Sequence, residues 1–202
     1  MKTLLHLNSS IYGEGGQSSR LAHAFVAQFP AARVITRDLG KNPLPHLDAE
    51  RFGAFLAKPE TRTPEQQQVL NESDELVAEL KQADTLVLGL PMYNFGVPSQ
   101  LKAYFDHIAR AGVTFKYTEK GAVGLLTGKQ AYVFAARGGL YQGTPRDTQT
   151  AYVREFLGFL GIADVQFVYA EGLAISEASK TESLSAAQRS LRSLAQPERI
   201  AA

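Results

Sequence analysis

Cysteine is absent from this chain of 202 residues. Disulfide bonds, thiol nucleophiles and cysteine-ligated metals are therefore excluded. Any redox chemistry must be carried by a bound cofactor, because no thiol pair is available to cycle between its reduced and oxidised forms. The absence of cysteine thus excludes the enzyme classes that depend on a thiol, before any motif is considered.

An excess of charge of either sign is also missing, since 21 basic residues are balanced by 20 acidic ones and the net charge is +1. This balance gives no indication of nucleic acid or of an acidic membrane surface as a partner. No stretch approaches the ~20 apolar residues of a membrane helix. The apolar part of the N-terminal "MKTLLHLNSS" is too short for a secretory signal. We therefore expect a soluble, cytoplasmic protein.

What the chain does contain is a regular alternation of short apolar runs with helical patterns. This alternation predicts a single α/β domain over residues 1–202, with a doubly wound parallel sheet and helices on both faces. Residues 40–64 are rich in proline and are expected to be irregular, and 113–129 is expected to form a hairpin-like insertion. The predicted strands are 3–8, 32–38, 85–91, 130–136 and 164–173, and the predicted helices are 17–29, 64–83, 98–110, 151–161 and 176–195.

Ligands of doubly wound sheets bind beyond the carboxyl ends of the strands, so the loops after the first, third and fourth strands are the candidate site. The first loop, "NSSIYGEGGQSSR" (8–20), leads into a helix, whose free N–H groups and dipole favour an anion. Ser10 and Ser18 add hydroxyls and Gln17 adds an amide. We therefore predict a phosphate site, with a flexible turn as the ordinary alternative.

Two better-known nucleotide motifs fit this loop poorly. A P-loop requires G-x-x-x-x-G-K-[ST], and the loop contains no lysine. A dinucleotide fingerprint requires G-x-G-x-x-G; Gly13 and Gly15 supply two glycines, but Ser18 stands at the third position. Asp38, at the end of the second strand, could then bind a ribose. A dinucleotide site therefore stays open as an alternative.

The second loop, "LPMYNFGVPSQLK" (90–102), carries a methionine, two aromatic residues and an amide between strong backbone breakers. Apolar faces beside a directed hydrogen-bonding group suit a planar heterocycle. Core packing is the commoner role of such aromatic residues. The four side chains concerned are Met92, Tyr93, Asn94 and Phe95.

The third loop, "ARGG" (136–139), has adjacent glycines, Gly138 and Gly139, that allow a flat ligand to approach the backbone. Arg137 beside them is expected to be a surface charge. Lys102, Asp106 and Arg110, spaced four residues apart on one helix, are likewise expected to form a solvated charged face. No cluster of acidic or histidine residues has the spacing of a metal site, so none is predicted.

Beyond these loops, the sequence closely resembles the FMN-dependent NADH:quinone and azo reductases, the flavodoxin-like azoreductases. The shared stretches span most of the chain in order, and PMYNF and GVTFKYTE are the specific ones. They are "SSI" (9–11), "QS" (17–18), "PMYNF" (91–95), "LKAYFD" (101–106), "AGVTFKYTEKG" (111–121), "RGG" (137–139), "FLGFLGI" (156–162) and "AEGLA" (170–174).

The resemblance implies a flavodoxin-like fold and a homodimer with one FMN per subunit near the interface. It also implies NADH or NADPH as electron donor and quinones or azo compounds as acceptors. The chemistry would be carried by FMN, without a catalytic side chain. The implied phosphate ligands are Ser10, Gln17 and Ser18; the implied flavin neighbours are Met92, Tyr93, Asn94, Phe95, Ala136, Arg137, Gly138 and Gly139; and Tyr117 and Phe159 would frame the substrate face.

Two positions depart from the family. Gly16 in the phosphate loop and Ala136 in the third loop stand where the family often has serine. Each replacement removes a hydroxyl but keeps a backbone N–H. We expect FMN binding to persist, weakened by about 1 kcal/mol for each lost hydrogen bond.

Two other functions compete with the reductase hypothesis. An electron-transfer flavodoxin would use the same fold without a substrate of its own, although flavodoxins are often strongly acidic and this chain is nearly neutral. An NAD(P)-binding Rossmann oxidoreductase would follow from the dinucleotide interpretation of the first loop.

Overall fold

The computed structural model describes the backbone of residues 1–200 and the side chains of residues 1–196. Within them, five strands form one sheet and two further strands form an antiparallel hairpin. In chain order the strands are Thr3–Asn8 (β1), Arg33–Asp38 (β2), Thr85–Pro91 (β3), Phe115–Thr118 (β4), Gly121–Gly124 (β5), Gln130–Ala136 (β6) and Asp164–Ala170 (β7).

The main sheet has the strand order β2-β1-β3-β6-β7, and every neighbouring pair is parallel. This confirms the predicted five-stranded doubly wound sheet. The chain moves outward from β1 to β2 and then returns to the other side of β1 to form β3, so the strand order reverses between β1 and β3. A crevice at such a reversal is the usual ligand site of these sheets.

Helices connect the strands and cover the sheet. Within the described backbone there are six α-helices, and a short 3-10 turn at Pro59–Thr61 precedes the third of them. They are Gln17–Val26 (α1), Ala49–Leu56 (α2), Pro64–Gln82 (α3), Ser99–Ile108 (α4), Thr150–Phe159 (α5) and Glu177–Ile200 (α6).

Side-chain alternation along the strands builds a separate core on each face of the sheet. Leu5 and Leu7 of β1 belong to the core formed with α3, α4 and α5. The adjacent Leu4 points to the other face of the sheet and belongs to the opposite core, with α1 and α6. Because both faces are covered, the central strand β3 is buried along its whole length and reads as a continuous apolar run.

The stretch 40–64, expected to be irregular, contains α2. Asp48 caps this helix by accepting the Arg51 N–H at 2.8 Å. The run that follows Asp48 carries an acidic residue in its first turn, which is a helix-start signal. The prediction was wrong here because the surrounding prolines were given more weight than that cap.

The charged face predicted on α4 is only partly solvated. Lys102 and Asp106 form an exposed ion pair at 2.5 Å. Arg110, by contrast, is 8% exposed and donates to Ser73 Oγ at 2.7 Å. The helix ends at Ile108, so Arg110 lies past its last turn and turns inward, and the expectation for Arg110 was wrong.

The hairpin of β4 and β5 confirms the predicted insertion. It packs against the end of α5, where Leu126 N–H donates to Leu160 O at 2.8 Å. The contact is so close that a Cβ at Gly124 would lie 2.0 Å from the Gly161 nitrogen. No helix of the described residues combines the length and apolar character needed to cross a membrane.

Candidate functional site

Ser10 lies where the loop after β1 meets the loop after β3. Its Oγ is 3.2 Å from the Tyr93 hydroxyl and accepts the Tyr12 N–H at 3.2 Å. Its neighbour Ser9 donates from Oγ to Gly89 O at 2.7 Å. Two of the three predicted loops are therefore joined by side-chain hydrogen bonds at the edge of the sheet.

Gly16 packs directly against Ser10. A Cβ at Gly16 would lie 2.3 Å from Ser10 Oγ and 2.7 Å from Ser10 Cβ. The sequence analysis treated Gly16 as the loss of a serine hydroxyl. In this structure the close approach of Ser10 gives a steric reason for glycine at that position.

The start of α1 presents a set of hydrogen-bond donors that the helix itself does not use. The first hydrogen bond inside the helix is Arg20 N–H to Gly16 O at 3.0 Å, so the N–H groups of Gln17, Ser18 and Ser19 have no acceptor within the helix. Ser18 is 0% exposed, and its Oγ has no hydrogen-bond partner among the described residues. Free amides, an orphaned hydroxyl and the positive end of the helix dipole together suit a phosphate.

The second loop is a tight turn closed by two backbone hydrogen bonds. Tyr93 N–H donates to Gly96 O at 3.3 Å, and Gly96 N–H donates to Tyr93 O at 2.9 Å. Asn94 and Phe95 between them have φ angles of 50° and 62°. Left-handed backbone is acceptable for asparagine but costs a bulky residue about 1–2 kcal/mol. A strained residue that is maintained by its surroundings points to a functional requirement.

The surroundings that maintain this turn come from the loop after β6. Gln149 is 0% exposed and donates from Nε2 to Pro91 O at 2.9 Å and to Gly96 O at 3.0 Å. The Thr148 hydroxyl donates to Phe95 O. Met92 N–H donates to Ala136 O at 3.0 Å. The second and third loops are therefore one hydrogen-bonded unit.

Arg137 is a buried ionic centre and not the surface charge that was expected. Its side chain is 0% exposed, and its guanidinium contacts Asp147 at 2.8 Å and Glu171 at 3.0 Å. It also donates to Gln149 Oε1 and Thr150 Oγ1, both at 3.2 Å. Its backbone N–H also donates, to Ala170 O at 2.9 Å. Because these donors are used within the protein, Arg137 positions the third loop, and its side chain is not available to a ligand.

The positive charge of Arg137 is balanced by its direct contacts with the carboxylates of Asp147 and Glu171. Burial alone would raise the pKa of Asp147, but hydrogen bonds from Arg137 and Thr150 outweigh that effect and lower the pKa below its usual value. Glu171 also accepts the N–H groups of Tyr141 and Gln142, each at 3.0 Å. The loop that follows Gly139 is thus fixed by charge-assisted hydrogen bonds.

The backbone of 137–139 runs beside residues 170–174. The last strand was predicted to extend to residue 173, but β7 ends at Ala170. Leu173 N–H donates to Arg137 O at 3.2 Å, and Ala174 N–H donates to Gly138 O at 3.0 Å. A Cβ at Gly139 would lie 2.6 Å from the Tyr141 hydroxyl. A larger residue at 139 would therefore displace the Tyr141 ring of the same chain.

Tyr117 and Phe159 lie together, but far from the three loops of their own chain. Both contact Phe115, with ring centroids 5.4 Å and 4.3 Å away. Thr150 begins α5 beside Arg137 and Phe159 ends it; at ~1.5 Å per residue, the two are about 14 Å apart along the helix axis. One chain therefore brings together the predicted cofactor residues but not the predicted substrate-facing aromatics.

The features required by a dinucleotide site are less complete. Asp38 uses Oδ1 to accept the N–H groups of Gly40 and Lys41, each at 2.9 Å, so this oxygen is engaged in a turn.

A polar cleft of about 430 Å³ between α1 and β2 is lined by His6 and Asn8, among other residues. Burial, followed by the proximity of His23, lowers the pKa of His6.

Sequence reasoning missed Gln149, Asp147 and Glu171. The polar run "TPRDTQT" (144–150) after the two glycines was a signal that this loop carries more than a turn. The residues that this run contacts, however, lie at the ends of other strands, and no local sequence pattern connects the run to them.

Comparison with known proteins gives a consistent result. Residues 2–195 match the family model described as "Flavodoxin-like fold". The chain is 55% identical over 181 residues to the FMN-dependent NADH:quinone oxidoreductase of Cellvibrio japonicus (strain Ueda107), covering 88% of this chain and 91% of that protein. It is 51% identical over 195 residues to the protein of the same name from Burkholderia pseudomallei (strain 1710b), covering 95% and 98%.

Solved structures agree with the sequence relatives. The crystal structure of a FMN-dependent NADH-azoreductase from Bacillus anthracis str. Ames Ancestor in complex with FMN has a TM-score of 0.88 and 30% sequence identity. The match covers 98% of this chain and 99% of that one. An azoreductase from Bacillus anthracis str. Sterne has a TM-score of 0.88 at 28% identity, covering 96% and 99%.

The strained turn gives a testable prediction. Phe95→Gly should be more stable than Phe95→Ala by about 1 kcal/mol, because alanine keeps the cost of positive φ and glycine does not. Urea unfolding followed by circular dichroism measures the difference. Both variants lose the same ring, so equal stabilities would show that the backbone at Phe95 is not strained.

Proposed function

Because this chain belongs to the flavodoxin-like fold family, with FMN-dependent NADH:quinone oxidoreductases and azoreductases as its relatives, we propose that it is such an enzyme. It transfers two electrons from NAD(P)H to quinones and cleaves aromatic azo compounds reductively. The observation that carries this proposal is the orphaned, fully buried Ser18 hydroxyl at the free N-terminus of α1, at the same sheet edge as the two loops with aromatic and glycine residues.

The residues present fit FMN. In the proposed site, Ser10, Gln17 and Ser18 hold the phosphate, with Gly16 leaving space for Ser10. A dinucleotide fingerprint needs glycine where this chain has Ser18, and a serine there offers a terminal phosphate a hydroxyl instead. Met92, Tyr93, Asn94 and Phe95 of the second loop and the backbone of Ala136, Arg137, Gly138 and Gly139 in the third loop would hold the flavin ring.

When bound, FMN supplies the hydride and electron-transfer chemistry. The chain supplies binding and orientation. The N–H groups of Met92, Tyr93, Gly96 and Arg137 are used within the protein, so those of Asn94, Phe95, Gly138 and Gly139 are the ones that would stabilise negative charge on a neighbouring ring. No side chain is required as a nucleophile. One site would serve donor and acceptor in turn, so we expect ping-pong kinetics with parallel double-reciprocal plots.

The alternatives are less well supported. An electron-transfer flavodoxin needs no acceptor site, yet the relatives at 55% and 51% identity are named as NADH:quinone oxidoreductases. A Rossmann enzyme needs a free ribose ligand, and one oxygen of Asp38 is engaged in its own turn. Because NAD(P)H is available in the cytoplasm, we propose that the enzyme works there.

The proposed assembly is a homodimer in which each site is completed by the other chain. Tyr117 is 76% exposed, and Val123 and Leu125, on and next to the same hairpin, are 44% and 39% exposed, so the hairpin presents a group of apolar side chains of the kind that marks an interaction surface. With Phe159, Tyr117 forms an aromatic group at the far end of α5 from its own cofactor loops. A two-fold dimer would place this group over the partner's flavin, and two-fold symmetry is the commonest form of association.

The phosphate site predicts a specific cost for losing Ser18. Flavin released by heating the wild type should be FMN, and Ser18→Ala should weaken FMN binding at least tenfold, about 1.4 kcal/mol, because it removes a hydrogen bond to a charged group. Fluorescence titration of the apoprotein measures this. Ser99→Ala, at the exposed start of α4, is the matched control. FAD as the sole flavin, or equal affinities in both variants, would contradict the site.

The dimer predicts that Tyr117 selects acceptors more than it binds FMN. The protein should scatter light as twice 22.0 kDa, and Tyr117→Ala should change the ratio of kcat/KM between a bulky and a small quinone, while FMN affinity changes less than twofold. A fully active monomer would rule out the shared site. An unchanged ratio in a dimer would show that Tyr117 lies away from the acceptor.

A further inference from the structure

Arg146 lies at the outer rim of the joined second and third loops, stacked on two aromatic rings. Its guanidinium carbon is 4.8 Å from the centre of the Phe95 ring and 5.6 Å from the centre of the Tyr141 ring. The two rings contact each other edge to face at 5.8 Å. An arginine held on aromatic faces is attracted by their quadrupoles, so this cation has a defined place.

The charge of Arg146 is not neutralised by the carboxylates around it. Asp147 and Glu171 both direct their oxygens inward to Arg137. Among the side chains of residues 1–196, no carboxylate forms an ion pair with Arg146. A positioned cation without a protein counter-ion is available to a ligand.

The backbone of Arg146 is also fixed. Its N–H donates to Thr144 Oγ1 at 3.2 Å, and the next residue, Asp147, is anchored to Arg137. Thr148, one residue further, is hydrogen-bonded to Phe95 O. The cation and the Phe95 ring are therefore held by the same loop, which keeps their spacing constant.

We propose that Arg146 recognises an anionic substituent on the aromatic acceptor, so that the enzyme prefers quinones and azo compounds carrying a sulfonate or carboxylate. This inference rests on the proposed function. Phe95 is 46% exposed and Leu140 is 65% exposed, so an apolar rim is available to the acceptor's rings. The guanidinium lies over the Phe95 ring, 4.8 Å from its centre, so an anionic substituent on an acceptor ring that contacts Phe95 would reach it.

The phosphates of NAD(P)H are the other source of an anion. They are separated from the nicotinamide by a ribose and would have to reach Arg146 from further away. A substituent on an acceptor ring that contacts Phe95 would lie beside the guanidinium, which contacts the same residue. Donor and acceptor can be separated in one kinetic experiment.

The test compares 1,4-naphthoquinone-2-sulfonate with neutral 2-methyl-1,4-naphthoquinone in the FMN-loaded enzyme. Arg146→Ala should lower the sulfonate-to-neutral ratio of kcat/KM about fivefold, since one exposed charge pair has an effect of this size. Arg146→Lys should keep most of the ratio. The loss should shrink in high salt. Arg33→Ala, an exposed arginine at the opposite edge of the sheet, has the same change in net charge and should keep the wild-type ratio.

An unchanged ratio in Arg146→Ala, or an equal fall in Arg33→Ala, would overturn the proposal. So would a raised KM for NADH with an unchanged ratio, because it would assign the cation to the donor. Titration of the sulfonate into the enzyme without NADH gives a readout independent of turnover, with affinity expected to fall about fivefold in Arg146→Ala. If the wild type binds the sulfonate through Arg146 yet oxidises no NADH, the proposed function fails and the anion site stands.

Discussion

The candidate site depends on the ion pairs and hydrogen bonds of the buried Arg137 guanidinium. Its side chain is fully enclosed and pairs with Asp147 from the loop after β6 and Glu171 from the end of β7. Through Gln149 it is connected to the carbonyls of Pro91 and Gly96 after β3. Removing one member of such a buried network leaves an uncompensated charge, which typically costs 3–5 kcal/mol. The network thus holds together loops that the sheet alone only brings near each other.

This constraint accounts for the strain in the second loop. Phe95 keeps a φ of 62° because its carbonyl and that of Gly96 are bound by Thr148 and Gln149. The ring is then presented at the edge of the sheet, half exposed, instead of packing in a core. The first loop is attached separately, through the contact of Ser10 with Tyr93, and it contributes the free helix N-terminus. In the proposed site, the phosphate and the ring would therefore contact different elements that are linked through Tyr93.

Much of this arrangement was predictable from the sequence. The apolar strands, their parallel order and the three loops follow from periodicity, and the comparisons bear out the family resemblance. The inward turn of Arg110 and the burial of Arg137 were not predictable, because their partners are distant in sequence and an isolated arginine resembles a surface residue. The distance of Tyr117 and Phe159 from the three loops of their own chain was also hidden, since a sequence motif does not report how far apart two stretches lie in the fold.

The most direct test of this account is the FMN affinity of Gln149→Leu. This change removes the link between the Arg137 centre and the second loop while leaving the salt bridges of Arg137 in place. The account predicts a dissociation constant at least tenfold higher, about 1.4 kcal/mol, with a native circular dichroism spectrum. Gln130→Leu makes the same substitution at the start of β6, away from the three loops, where it removes an exposed hydrogen bond to Asp164, and it should change the constant less than twofold. Equal FMN affinity in the two variants would contradict the claim that this link shapes the cofactor site.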